Sequence, residues 1–235
     1  MASYRGHLSF SATLGIAYAG ASFWYAGFDW GAAALGGILT TVGGLLPDLD
    51  SDSGVPVREM FGLAAVLVPC LLIKRLAAEG LNAEQTFVIL TGVYLLVRFA
   101  LPGLFNQLTV HRGMYHSIPA MFIAGLLVFL GYEHADVKVR FLLAGGVMLG
   151  FFSHLVLDEV CSVDFNGLSF KLNQYAGSAL KLFSRSVPAT LLTYGILGAL
   201  LYVATLEFGG PRGALRDLRT LTLNILGPGS PPVRR

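Results

Sequence analysis

Seven apolar stretches follow one another through the chain, at approximately residues 7–28, 31–47, 60–78, 84–104, 115–132, 139–157 and 187–208. A helix needs about 17 to 25 mostly apolar residues to span the hydrocarbon layer of a bilayer, and inside that layer the backbone must satisfy its own polar groups. Charge is correspondingly scarce. Of 235 residues, 54% are apolar and only 13% are Asp, Glu, Lys or Arg, whereas a soluble domain carries about 25% charged residues. Too little charge is available to cover a soluble surface. The expected fold is therefore all-α, a polytopic membrane bundle of about seven transmembrane helices. A disordered chain is excluded on the same grounds, and a net charge of +2 gives no basis for nucleic-acid binding. Residues 1–210 read as one membrane-embedded domain and 211–235 as a flexible tail rich in Arg, Pro and Gly. The first stretch is too long for the apolar region of a signal peptide and is read as retained.

Two stretches carry basic residues. The third has a clean apolar core from Met60 to Ile73, after which Lys74 and Arg75 are expected to snorkel to the interface. The fourth holds Arg98 near its end, where snorkelling is favoured over a functional role for an intramembrane charge. Between spans, 48–59 forms a short acidic loop and 158–186 is the only long connection. In the latter, Leu168–Phe183 mixes Phe, Leu and Tyr with Lys171 and Lys181, as suits a segment lying in the interface.

So few side chains here can do chemistry that their placement is informative. His7 opens the first span; Leu46-Pro47-Asp48-Leu49-Asp50-Ser51-Asp52 closes the second; His111-Arg112-Gly113-Met114-Tyr115-His116-Ser117 opens the fifth; Ser153-His154-Leu155-Val156-Leu157-Asp158-Glu159 closes the sixth. Counting crossings puts all four clusters on one face of the membrane, and this parity survives even if spans three and four both fail. His154 and Asp158, four apart, share a helix face, where an imidazole and a carboxylate can bind one metal and the carboxylate can bridge two.

Each cluster has a plainer reading. His154 and Asp158 could be an ordinary helical pair, His111 and His116 two interfacial histidines, and Arg112 a lipid-headgroup contact. Asp48, Asp50, Asp52 and Glu59 match positions 1, 3, 5 and 12 of a calcium-binding EF-hand loop, but Ser53 stands where glycine is required and Pro56 falls within the loop. Solvated carboxylates are the simpler account of Asp52 and Glu59, while Asp48, where span two meets water, can point back toward the other clusters. His134 sits on the opposite face and reads as a loop histidine; Cys70 and Cys161 have no ligand partners.

Imidazole and carboxylate donors without a thiolate pair suit zinc first, with manganese or iron as alternatives. A metal of that kind beside an arginine points to attack on a phosphate ester, because it lowers the pKa of bound water and polarises the phosphoryl oxygen.

Taken together, Gly6-His7, Leu46-Pro47-Asp48-Leu49-Asp50, His111-Arg112-Gly113-x-x-His116-Ser117 and Ser153-His154-x-x-x-Asp158 resemble the membrane-bound metal-dependent hydrolases typified by the LexA-regulated inner-membrane YdjM protein. The resemblance covers His7 to about Asp164, with spans three and four looking like an insertion. More remotely, the pattern is similar to the zinc-dependent phospholipase C and S1/P1 nuclease group. That likeness implies one metal surrounded by Asp48, His116, His154 and Asp158, and a second joined by His7, with Asp158 bridging. His111 stays open between metal ligand and phosphate contact.

The resulting expectation is an integral-membrane hydrolase of the bacterial inner membrane, holding one or two divalent metals and cleaving a phosphoester of a lipid or lipid-linked substrate. Asp50 or a metal-bound hydroxide would serve as base, and Arg112 would hold the phosphate. A transporter or metal-ion permease is the main alternative, although such sites usually lie near the bilayer midplane; a non-catalytic protein with a structural metal is the third. Lys and Arg number six on the site face and nine on the other, or seven without the distant Arg234 and Arg235. The positive-inside rule thus leans slightly toward an outward-facing site.

Overall fold

Helix boundaries follow polar capping residues at the edges of the apolar stretches. A computed structural model of the chain describes residues 4–50, 54–103, 114–161, 163–165, 170–172, 181–184 and 186–208. Helix α1 spans Tyr4–Trp24 and α2 spans Trp30–Gly43, the latter capped by the Asp29 carboxylate, which accepts from the backbone N–H groups of Gly31 and Ala32. A 3-10 turn at Leu46–Asp50 leads to α3, Gly54–Ala78. Helix α4, Ala83–Leu95, opens with a reciprocal capping box between Asn82 and Gln85 and runs on through a π-helical turn at Leu96–Ala100. Ser117 caps α5, Ile118–Gly131; Asp136 caps α6, Val137–Val160; Ser186 caps α7, Val187–Glu207. These side-chain oxygens satisfy N–H groups that a helix start otherwise leaves unpaired.

Five helices are long and apolar enough to cross a membrane: Trp30–Asp48, Phe61–Ala78, Ala83–Gly103, Val137–Val160 and Val187–Glu207. The chain is a helical membrane bundle, with two of the seven expected spans altered. Helix α1 is long enough, but Arg5, His7, Ser9, Ser11 and Thr13 make its first half too polar to count by composition. Helix α5 has only 14 residues, about 21 Å at 1.5 Å per residue, so it falls short of the roughly 30 Å hydrocarbon layer.

Helix α6 is the centre of the bundle: 61% of its most apolar 18-residue stretch is buried, against 6% of the corresponding stretches of Ala83–Gly103 and of α7. It packs on α2 through backbone contact: a Cβ at Gly150 would collide with the Thr40 carbonyl, and one at Gly43 with the Val147 carbonyl. Helix α1 closes on the same pair, and the Tyr18 hydroxyl donates to the Leu142 carbonyl at 2.8 Å. Leu39, Leu143 and Val147 fill the middle of the core, while Phe151 and Leu155 continue it toward the C-terminal end of α6.

At the opposite end of α6 the basic residues do more than snorkel. Arg75 Nη1 lies 2.8 Å from Glu133 and 2.6 Å from Glu207. Arg140, 6% exposed, pairs with Glu207, donates twice to the Phe129 carbonyl at 3.0 and 2.7 Å, and lies 4.1 Å from the centre of the Phe129 ring. This network ties α3, the α5–α6 turn and α6 to the last turn of α7.

Two expectations about loops change. Because α3 begins at Gly54, it occupies the last half of the stretch an EF-hand would need as a loop, which removes the calcium-loop reading. Within 158–186, Val163–Phe165 (β1) and Phe170–Leu172 (β2) pair antiparallel with Asp164 opposite Lys171, a short hairpin that hydropathy alone did not announce. The tail 211–235 lies outside the described residues.

Candidate metal centre

Four elements deliver five of the expected ligands to one point. His7 sits one turn into α1, Asp48 lies in the 3-10 turn, His116 precedes the Ser117 cap of α5, and His154 and Asp158 occupy successive turns of α6. The three histidines and Asp158 are each 6% exposed or less, and Asp48 is half-buried. Two overlapping triads result, His7–His154–Asp158 and Asp48–His116–His154, in each of which the donor atoms all lie within 4.8 Å of one another.

His154 is the shared member, and its orientation is fixed from behind. Its Nδ1 lies 2.8 Å from the Gly44 carbonyl, so Nδ1 carries the proton and donates it there, which turns the Nε2 lone pair into the site. Gly44 follows the last residue of α2, where the carbonyls have no partner further along the helix. Backing a ligand histidine with a carbonyl is a common outer-shell arrangement at metal centres. The His7 ring stacks on His154 at 3.7 Å between centroids and 13° between planes, and the His116 ring meets it edge-on at 5.7 Å.

Asp158 offers one oxygen to each side. Oδ1 lies 3.2 Å from His7 Nε2, and Oδ2 lies 3.7 Å from His154 Nε2. His154 Nε2 is also 3.7 Å from Asp48 Oδ1. These last separations are too long for hydrogen bonds, but they suit groups facing a common ion. Donors about 2.0–2.2 Å from a tetrahedral zinc stand roughly 3.3–3.6 Å apart.

The decisive observation concerns satisfaction. His7 Nδ1, His154 Nε2 and Asp158 Oδ1 are buried without a hydrogen-bond partner among the described residues. Buried polar atoms are nearly always paired, and three orphans within one cluster need an explanation. A divalent cation held by His154 Nε2 and Asp158 would account for two of them. The donor set, imidazole and carboxylate, fits zinc, manganese or iron.

Not every expected residue is placed. The backbone of Asp50 completes the 3-10 turn, two residues beyond Asp48, but its side chain lies outside the described residues. His111 and Arg112 fall outside them altogether. The Gly44 carbonyl was not anticipated, since a backbone acceptor has no side-chain signature; the Gly43-Gly44 pair closing α2 was its one trace in the sequence.

The class defined by these features is an integral membrane helical bundle with a histidine–aspartate centre near one membrane face. The YdjM inner membrane protein family matches residues 1–170, and the chain belongs to that family. It is accordingly an integral protein of the inner membrane. The matched stretch holds every candidate ligand, whereas α7 lies beyond it. No curated protein and no solved structure matches the chain.

Proposed function

We propose that this protein is a metal-dependent hydrolase that cleaves a phosphoester, with a membrane lipid or lipid-linked molecule as substrate. The observation that carries this reading is the pair of overlapping triads sharing His154, with orphaned polar atoms inside the same buried cluster. Asp48, His116 and His154 would hold one divalent ion, and His7 a second, with the two oxygens of Asp158 divided between them. Zinc is the leading candidate. Such an ion supplies Lewis acidity, which acidifies water and polarises a phosphoryl oxygen.

The chain's own residues supply the remainder. The Asp50 carboxylate, two residues past Asp48, takes the proton of the attacking water, and the planar fork of Arg112 holds the phosphate oxygens. Placement at helix ends supports chemistry at the interface, since a permeation path would put the polar cluster at mid-bilayer. Helix geometry sets His154 about 9 Å inside the last residue of α6, within reach of a headgroup.

The test is metal analysis of the detergent-purified chain, followed by hydrolysis assays on phosphodiester and phospholipid substrates. Wild type is expected to carry one or two equivalents of a divalent metal, and His154→Ala or Asp158→Ala to lose at least about 90% of metal and activity. Full metal occupancy in both variants would show the site assignment to be wrong.

A further inference from the structure

The π-helical turn at Leu96–Ala100 is packed directly on the shell of the metal centre. Its Val97 is buried in a cluster with Leu45, Phe61 and Ala65, against which Tyr4, Leu46 and Tyr115 also pack. Three of those residues flank ligands: Tyr4 is one turn from His7, Leu46 is two residues from Asp48, and Tyr115 precedes His116. Single π turns insert one extra residue and are frequent at functional sites.

The residue beside Val97 in that turn is Arg98. Leu95, Leu96, Phe99 and Ala100 are all exposed on the apolar outside of the bundle, whereas Arg98 is half-buried. Among the described residues no carboxylate pairs with the Arg98 guanidinium; the contact it makes is with the Phe99 ring, 5.7 Å from its centroid. By contrast Arg75 and Arg140 at the other membrane face are both matched to glutamates. A charge within an apolar span is costly, and it is normally paired or placed on a substrate path.

Among the described residues α4 packs mainly on α3 and buries none of its own side chains, so Arg98 stands at the edge between the bundle and the bilayer.

We propose that Arg98 is a lipid-positioning residue: its guanidinium takes the phosphate of a membrane phospholipid entering sideways beside α4 and holds it next to the His/Asp centre. The planar fork of donors matches two phosphate oxygens, and the apolar surface of α4 accommodates acyl chains. This rests on reading the centre as a phosphoester site, and it makes the substrate a lipid that never leaves the bilayer.

Native mass spectrometry of the full chain in neutral detergent tests the assignment. The probes are phosphatidylglycerol, diacylglycerol as the same lipid body without phosphate, and inorganic phosphate as the headgroup chemistry without a lipid. Wild type is expected to retain phosphatidylglycerol at least about tenfold better than diacylglycerol, and Arg98→Gln to lose about tenfold in that retention, as for a lost charge-assisted hydrogen bond. Arg98→Lys, which keeps a point charge, should stay within about threefold of wild type. Metal content and the monodisperse elution profile should be the same in all three proteins, which separates lipid positioning from damage to the fold. Equal phosphatidylglycerol retention by wild type and Arg98→Gln overturns the proposal. So does displacement of phosphatidylglycerol by an equimolar amount of inorganic phosphate, because the site would then recognise free phosphate. Retention is read without turnover, so a wild-type chain found to bind no metal sinks the hydrolase reading while the lipid comparison still decides the role of Arg98.

Discussion

At the scale of single residues, the proposed hydrolase assigns holding a metal and moving a proton to different groups. Asp48 faces His154 Nε2 at 3.7 Å and belongs to a ligand triad. Asp50 follows it in the same 3-10 turn. One acidic turn can thus serve two purposes, and substitution distinguishes them. Asp48→Asn should lower metal content, because a neutral amide is a poor ligand for zinc. Asp50→Asn should keep the metal and cut hydrolysis by about 100-fold or more, the usual contribution of a general base. Elemental analysis and a phosphodiester assay on the same two preparations check both statements; loss of metal in Asp50→Asn would move that residue from base to ligand. The clustering of these residues was legible in the sequence because a chain so poor in charge exposes each His and Asp as an exception. What was not legible is how they are held: the Gly44 carbonyl behind His154 and the division of the Asp158 oxygens are matters of orientation.

At the scale of elements, the centre depends on how closely α2 and α6 approach. Their backbones touch at Gly43 and Gly150, where a Cβ would run into the Val147 and Thr40 carbonyls. Four residues along α6 from Gly150 stands His154, hydrogen-bonded to the end of α2. Spacing and ligand orientation are therefore coupled. Gly150→Ala should force the helices apart, cost about 1–3 kcal/mol from overpacking, and lower metal affinity about 10-fold or more as the Gly44 carbonyl withdraws from His154. Gly195→Ala in α7, where a Cβ meets nothing within 4 Å, should leave metal affinity unchanged. Thermal unfolding in detergent and metal titration on both variants measure this, and a Gly150→Ala protein as stable as wild type would refute the coupling. Hydropathy located all seven helices of the described residues, because apolar length alone decides that they form. It could not reveal that α5 is short, since Pro119 and the Ser117 cap start that helix late within a stretch that stays apolar. Nor could it pair Arg140 with Glu207, which are 67 residues apart: a charge near a span end reads as interfacial until a neighbouring helix brings its partner.

At the scale of the whole molecule, the two ends of the bundle are chemically different. One end gathers His7, Asp48, His116, His154 and Asp158 into a cluster with unsatisfied donors. The other gathers Arg75, Arg140, Glu133 and Glu207 into matched ion pairs, which secure α7, a helix beyond the stretch matched by the family. For the proposed hydrolase, sidedness would determine which compartment supplies the metal and receives the product. The count of basic residues favours the paired end facing the cytoplasm, by a small margin. Pairing with glutamate does not weaken that count, because the rule weighs Lys and Arg and acidic residues contribute little. The two cysteines permit a direct measurement. Cys161 is exposed immediately after α6, at the same end as the centre, whereas Cys70 lies within α3 on an apolar surface that faces lipid. In a Cys70→Ala variant, a membrane-impermeant maleimide added to intact spheroplasts should therefore modify Cys161, with no further labelling after lysis. Labelling seen only after lysis would place the centre in the cytoplasm and reverse the orientation. Because an odd number of spans separates Cys161 from the end of α7, a reporter fused after Arg235 must then give the opposite answer to the thiol reagent. Agreement between the two would mean that α7 does not cross the membrane, even though its length and composition permit it.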